Sequence, residues 1–210
     1  MPSIFDQQSP RDALVQISKE FHHHGWMAGT AGNLSIRARG RADSFWITAS
    51  GLPKGQLDEH DFLLIQIDNG DVLEQFNVDD KPSAETSIHQ VLYQIFPDVQ
   101  ACFHVHSVDA SLATRNLVKD AVGLLLPPLE MLKGLGIWET NPVIELPIFE
   151  NLPQISAVSQ NIAKQFANHP PKVPGLLIRD HGITVWGKSA QETYNRLEVI
   201  EFLLSYLARC

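Results

Sequence analysis

The stretch ACFHVHS, residues 101–107, places two histidines one residue apart in an otherwise apolar run. Side chains two residues apart in a β-strand lie on the same face, so His104 and His106 are predicted neighbours, with Phe103 and Val105 on the opposite face. Two adjacent imidazoles repel each other when protonated, and each needs a partner when buried and neutral. A divalent cation meets both needs, because zinc binds imidazole nitrogen and a catalytic zinc site usually keeps one position open beside three protein ligands.

The third ligand of such a site is predicted to be His181. It lies between two β-type runs of GLLIRDHGITVWG, residues 175–187, and Gly182 beside it allows an unusual backbone at the bend. Cys102 shares the strand face of the histidine pair, but its short side chain is expected to pack in the core. Without a third ligand, a solvated strand face or two hydrogen-bonded core histidines would also explain the pair.

The rest of the chain alternates helical and strand patterns, which predicts an α/β fold. Helical patterns cover residues 10–24, 84–96 and 153–168, a stretch from about Val108, and a last segment after Ser189. β-Type runs cover residues 33–37, 44–50, 62–67, 72–74, 99–106 and 143–149, and a Pro-containing loop is expected at 127–128. Several strand pairs look like hairpins, so the sheet is expected to be mixed and largely antiparallel. The chain length predicts a single domain, residues 1–210.

Charge and composition argue against several classes of protein. The net charge is −8 and Lys and Arg form no cluster, so no nucleic-acid partner is expected. The sequence contains no apolar run of about 18 residues and no signal-like start, so we expect no membrane association and a cytoplasmic location. Two cysteines, Cys102 and Cys210, suit a reducing compartment better than a disulfide framework.

Three stretches of small residues form a second signal: GTAGNLS (29–35), TASG (48–51) and KPSAE (81–85). Each combines Gly or Ala with hydroxyl side chains in a predicted loop or at a helix start. Backbone amides and hydroxyls of this kind can bind a phosphate group. None of the stretches has the spacing of a nucleotide-binding loop, so nucleotide binding is not indicated.

In this order along residues 29–182, the motifs GTAGNLS, ASG, KPSAET, HVHS and RDHG resemble those of the class II aldolase/epimerase family, zinc enzymes that act on sugar phosphates. The resemblance implies a three-layer α/β/α sandwich, one zinc ion per subunit, and a homotetramer with active sites between subunits. It assigns the zinc ligands to His104, His106 and His181. It also implies that Glu85 moves a proton, and that the substrate phosphate is bound by Gly32, Asn33, Ser50, Gly51 and Ser83.

The stretch PPLEMLKGLG, residues 127–136, resembles the dehydratases of that family. This resemblance implies removal of water from 5-methylthioribulose 1-phosphate in methionine salvage, with Glu130 as the catalytic acid/base. The alternative is a sugar-phosphate aldolase or 4-epimerase, of the fuculose-phosphate aldolase or ribulose-phosphate epimerase type. An enediolate is common to dehydration and carbon–carbon cleavage, so three zinc ligands do not distinguish these reactions.

The last helix is predicted to carry two apolar faces. One face comprises Leu197, Ile200, Leu204 and Leu207, and the other comprises Val199, Phe202, Leu203 and Tyr206. A helix that only covers a core needs a single apolar stripe, so the second face indicates a contact between subunits.

Overall fold

Helices and strands are interleaved in the described part of the chain, as the sequence patterns predict. The computed structural model describes residues 4–117 and 121–210. Its helices are α1 (Ile4–Gln7), α2 (Pro10–His23), α3 (Thr86–Ile95), α4 (Val108–Leu112), α5 (Ile155–Asn168) and α6 (Ala190–Ala208). Its strands are β1 (Asn33–Arg37), β2 (Ser44–Thr48), β3 (Phe62–Gln66), β4 (Val72–Glu74), β5 (Ala101–Val105), β6 (Gly123–Leu125), β7 (Glu145–Phe149), β8 (Gly175–Ile178) and β9 (Gly182–Gly187). Short helical turns cover Lys54–Gln56, Ala113–Leu117 and Glu130–Leu135.

The strands of the described chain form one sheet in the order β4-β3-β2-β1-β5-β9-β8-β7-β6. Every neighbouring pair is antiparallel except β7 and β8, which are parallel. The predicted mixed, largely antiparallel sheet is therefore confirmed. Strand β5, which carries the histidine pair, lies between β1 and β9.

Two apolar clusters, one on each face of the sheet, give the molecule three layers. Phe103 of β5 joins the cluster under α2 and α6, whereas Cys102 joins the cluster under α3 and α5. Both residues are completely buried, because a central strand is covered on both faces. The three-layer α/β/α sandwich is confirmed, and Cys102 packs in the core as expected.

Local sequence signals account for the ends of the long helices. The Ser9 hydroxyl accepts a hydrogen bond from the Asp12 amide at the start of α2, with Pro10 in the first turn. Gly25, with φ of 78°, follows the end of that helix in a left-handed conformation that glycine adopts without strain. At α6, Ser189 accepts from the Glu192 amide in the same way.

The structure differs from the sequence prediction at short elements. The segment expected to be a loop around Pro127 and Pro128 is flanked by strand β6 and by the helical turn Glu130–Leu135. A three-residue edge strand is too short to show a period in the sequence. The helix predicted from Val108 has only five residues and continues as a wider turn to Leu117.

Helix α6 is also less exposed than predicted. Val199 and Leu203 of its second apolar face are buried inside the chain, and Val199 lies against Gly134 of the turn Glu130–Leu135. Phe202 and Tyr206 remain exposed, at 49% and 44%. Half of the face that suggested a subunit contact therefore packs within one chain. Within the described ranges, no helix has the length and apolarity needed to cross a bilayer.

Candidate metal centre

The histidine pair of β5 and the distant His181 meet at one end of the central strands. The antiparallel register pairs Val105 with Ile183, so the end of β5 lies beside the start of β9. His106 follows β5 directly and His181 precedes β9 directly, which brings both rings to the same place. Gly182 makes this close approach possible, because a β-carbon there would lie 2.2 Å from the carbonyl oxygen of Val105.

The ring nitrogens have the spacing expected of ligands that share one ion. His106 Nε2 lies 2.9 Å from His104 Nε2 and 3.0 Å from His181 Nε2. Imidazole nitrogens around a tetrahedral zinc ion are ~3.3 Å apart, given Zn–N distances of ~2.0–2.1 Å. The outer nitrogens are oriented by hydrogen bonds, His104 Nδ1 with Thr184 Oγ1 at 2.9 Å and His181 Nδ1 with Asn151 Oδ1 at 3.4 Å. Such outer contacts select the tautomer whose inner lone pair faces a metal.

The environment keeps two of these rings neutral. Burial is the largest cause that lowers the pKa of His104 well below its usual value, and the nearby His106 ring adds to it. Burial, followed by repulsion from His181, lowers the pKa of His106 to about 4. A neutral imidazole is the form that binds a metal ion, so the protonation state fits the proposed role.

Glu85 completes the cluster. Its Oε1 lies 3.2 Å from His181 Nε2, and its Oε2 accepts hydrogen bonds from Ser83 Oγ at 2.6 Å and Asn33 Nδ2 at 2.7 Å. Burial alone would raise the pKa of Glu85, but the His181 hydrogen bond, the His104 ring and Ser83 outweigh it and lower the pKa. Among the described residues, Glu85 and the three histidines form a group whose ligand atoms all lie within 4.8 Å of one another.

The structure also brings together the three stretches of small residues. Asn33 and Ser83 are linked through Glu85, and a β-bridge joins Ala49 to Pro82, with the Ser50 amide donating to the Lys81 carbonyl at 2.9 Å. Gly32 has φ of 78°, and a β-carbon there would lie 2.8 Å from the His104 carbonyl oxygen. The predicted phosphate residues Gly32, Asn33, Ser50, Gly51 and Ser83 therefore come from segments that are tied to one another beside the histidines.

Lys54 is a member of this region that the sequence analysis missed. Its side chain is buried, and its ammonium donates to the Thr30 carbonyl at 3.0 Å and the Leu52 carbonyl at 2.9 Å. It therefore ties the loop of Gly32 to the loop of Gly51. Burial lowers its pKa to about 8, against the opposing charges of Glu85 and Asp61. A lysine in a Gly- and Pro-containing loop normally indicates a solvated position, so the sequence contained no specific signal for this role.

Glu130, the predicted catalytic acid/base, is not brought to the histidines by its own chain. Its carboxylate is 83% exposed and lies 2.6 Å from Lys133 Nζ, within the helical turn Glu130–Leu135. That turn packs under α6 through Leu132 and Leu135, in the layer opposite α3, which follows Glu85. The structure therefore does not group Glu130 with the histidines and Glu85 of its own chain.

Comparison with known proteins identifies the family of this chain. Residues 12–207 match the family described as Class II Aldolase and Adducin N-terminal domain. The chain is 50% identical over 198 residues to the methylthioribulose-1-phosphate dehydratase of Microcystis aeruginosa, with 94% of each chain covered. It is 42% identical over 199 residues to the enzyme of the same name from Leptospira biflexa, covering 93% of this chain and 95% of the relative.

Solved structures show the same fold. YgbL from Escherichia coli matches with a TM-score of 0.76 and 26% identity, covering 94% of this chain and 87% of that one. The L-fuculose-1-phosphate aldolase of Thermus thermophilus matches with a TM-score of 0.70 and 22% identity, covering 94% and 93%. By the family match over nearly its whole length, and by its similarity to two dehydratases, this chain belongs to the class II aldolase family.

Proposed function

We infer that this protein is a methylthioribulose-1-phosphate dehydratase, a hydro-lyase that converts 5-methylthioribulose 1-phosphate to 2,3-diketo-5-methylthiopentyl 1-phosphate and water. The observation that carries this inference is the 50% identity to a dehydratase over 94% of both chains. The convergence of three imidazoles and a carboxylate supports it, because a mere binding protein on the same fold has no need of that cluster. We therefore propose a role in methionine salvage.

The proposed metal ligands are His104, His106 and His181, with one ion per subunit. Three imidazole nitrogen donors held at ligand spacing fit a first-row divalent cation, and we propose zinc. When bound, such a cation supplies Lewis-acid polarisation of the substrate ketone, which makes the neighbouring C3 proton more acidic. The hydrogen bonds that His104 Nδ1 and His181 Nδ1 make to Thr184 Oγ1 and Asn151 Oδ1 hold these two rings in the orientation that this chemistry needs.

The substrate phosphate is proposed to bind to the connected loops beside the centre. Ser50 and Gly51 are exposed at the loop surface, whereas Asn33 is buried and already bonded to Glu85. Gly51 has φ of 77°, a conformation in which its amide can turn towards an anion without side-chain strain. The Lys54 ammonium beneath both loops adds a positive charge without exposing it to solvent.

Two carboxylates are proposed to share the proton transfers. A base removes the proton from C3, the C4–oxygen bond breaks, and the same proton assists departure of the C4 hydroxyl as water, leaving an enol that tautomerises to the 2,3-diketone. We assign this work to Glu130, acting in the centre of an adjacent subunit. Glu85 stays within its own centre, where it accepts hydrogen bonds from Ser83 and Asn33, lies 3.2 Å from His181 Nε2 and can move a further proton.

This assignment requires an assembly, and we propose a cytoplasmic homotetramer of single-domain subunits, residues 1–210. The exposed Phe202 and Tyr206 of α6 lie on the helix that packs against the Glu130-bearing turn, so a subunit contact there would also position Glu130.

Product identification tests the proposed function. Zinc-loaded protein is incubated with 5-methylthioribulose 1-phosphate, and the products are identified by mass spectrometry. A single product that has lost one water and reacts as a vicinal diketone is expected. Two shorter carbonyl fragments would instead indicate an aldolase, and an isomer of unchanged mass would indicate an epimerase. Protein that binds no metal and leaves the substrate intact would contradict the inference.

A further inference from the structure

A cavity of about 330 Å³ opens directly beside the candidate metal ligand His106. Its wall is formed by α4, which begins one residue after Ser107 because the Ser107 hydroxyl accepts a hydrogen bond from the Ala110 amide. The remaining lining comes from the turn after α4 and from Asp180, next to His181. The cavity thus touches the segments that carry His106 and His181. Its volume is at the lower end of the range for small-molecule sites, about 300–1,000 Å³.

The lining of the cavity is unsuited to an anion. Val108 and Leu112 are four residues apart on one face of α4 and are 71% and 36% exposed. The two charged side chains of the lining neutralise each other, since Arg115 Nε lies 3.0 Å from Asp180 Oδ1. Exposed aliphatic side chains beside an ion pair that is already neutralised favour an uncharged, apolar ligand group.

The position of the cavity relative to the phosphate loops indicates which end of the substrate would bind in it. A series of contacts runs from Asn33 and Ser83 through Glu85 and His181 to His106, and the cavity adjoins the His106 end. In a 2-ketose 1-phosphate, the phosphate on C1 and the substituent on C5 extend in opposite directions from the C2 and C3 oxygens. With the phosphate at the loops and those oxygens at the histidines, C5 extends towards α4.

We propose that this cavity binds the 5-methylthio group of the substrate, and that Val108 and Leu112 determine the preference for a methylthio over a hydroxyl substituent. The proposal rests on the proposed function and adds to it the residues that recognise the apolar end. A CH₂–S–CH₃ group is small, flexible and uncharged, which suits the aliphatic side chains of α4 and the paired charges of Arg115 and Asp180.

The test compares two substrates in two sets of variants. The ratio of kcat/KM for 5-methylthioribulose 1-phosphate to that for ribulose 1-phosphate, which carries a hydroxyl at C5, is measured for wild type and for the double variant V108S/L112S. The ratio is expected to fall about 10-fold or more in the double variant, mostly through KM for the methylthio substrate. The matched control L125S/V143S changes two aliphatic residues that are 59% and 70% exposed at the far edge of the sheet, and its ratio should equal that of wild type.

A second variant guards against loss of folding. Leu112→Phe fills the cavity with a larger apolar group and should lower kcat/KM for the methylthio substrate more than for ribulose 1-phosphate. An unchanged ratio in active V108S/L112S and Leu112→Phe proteins would overturn the proposal. A changed assembly mass with an unchanged ratio would also overturn it, assigning α4 to a subunit contact. If wild type itself does not dehydrate 5-methylthioribulose 1-phosphate, the proposed function fails, which is a separate result.

Discussion

His106 lies within 3.0 Å of two other imidazoles, a spacing that neutral rings tolerate and protonated rings do not. Its ring is the middle member of the three, so removing it should break the ligand set rather than loosen one contact. His104 and His181 would then remain as a pair, which holds a divalent cation much less strongly than three ligands do.

His106→Ala is therefore expected to lose bound zinc and activity together while retaining the far-ultraviolet circular dichroism of the wild type. Metal content is measured by atomic emission after dialysis against a weak chelator. The matched control is His60→Ala, because His60 is exposed and pairs with Asp58 instead. Unchanged zinc affinity in the His106 variant would refute the ligand assignment.

Lys54 gives a pH-dependent prediction. Its folded pKa is about 8, below the ordinary value of 10.5, so the unfolded chain binds more protons between these two values. The free energy of unfolding therefore gains a contribution that rises with pH from about 8 to 10.5, as the buried ammonium is neutralised. Lys54→Met lacks this contribution.

Urea unfolding at a series of pH values measures the effect of Lys54. The difference in unfolding free energy, wild type minus Lys54→Met, is expected to increase across that pH range. Lys188→Met, at a lysine that is 70% exposed, should show no such trend. Parallel pH curves for wild type and Lys54→Met would contradict the prediction.

At the scale of elements, helix α6 buries a carboxyl group where it packs on α4. Glu201 is 2% exposed, and burial raises its pKa to about 8, with Asp109 adding to the rise and Ser107 opposing it. A folded pKa above the unfolded value of 4.5 means that the contribution of Glu201 to stability is complete below pH 4.5. It is lost as the pH rises through about 8.

Glu201→Gln should remove this dependence and unfold less readily than wild type above pH 8. Thermal unfolding of the two proteins at acidic, neutral and alkaline pH measures the difference. Glu198→Gln, an exposed position on the same helix, is the control and should follow the wild-type pH dependence. A Glu201→Gln protein that loses stability equally at every pH would show that the amide merely disturbs packing.

At the scale of the whole molecule, the location of Glu130 makes its proposed catalytic role depend on how the subunits assemble. One chain keeps this carboxylate in the layer of α6, paired with Lys133, while Glu85 lies with the histidines. Glu130→Gln is expected to retain fold and zinc and to lower kcat by about 10²- to 10⁴-fold, the usual contribution of general acid–base catalysis. Near-normal turnover in that variant would remove Glu130 from the mechanism.

Mixed assemblies test whether Glu130 acts between subunits. Glu130→Gln and His106→Ala chains are co-expressed with different affinity tags, and the hybrid is purified on both tags in turn. About a quarter of sites would then combine an intact histidine set with an intact Glu130 from its neighbour, so activity well above that of either parent is expected. The control hybrid of Glu85→Gln and His106→Ala should stay inactive, because both residues belong to one chain's cluster. Equal inactivity of the two hybrids would place Glu130 outside the adjacent centre.

Periodicity and local chemistry in the sequence determined the long elements, the layered α/β class and the candidate ligands. An i, i+2 histidine pair on an apolar strand does not by itself identify a metal site, but together with a histidine at a glycine bend it predicts one. Strand β6 was not predicted, since three residues carry no measurable period. The equally short β4 was predicted because the turn sequence DNGD, residues 68–71, precedes it. The order of the motifs, which resembles that of the class II aldolase/epimerase family, predicted the family and the remaining site residues.

Only the tertiary structure decided which residues meet. The register of β5 against β9 places His181 beside His106, and long-range contacts bury Lys54 between two loops. The same packing turns Val199 of α6 inward and leaves Glu130 outside its own centre. Burial and the distance between residues far apart in sequence depend on how the layers pack, and a local sequence pattern contains no record of that packing.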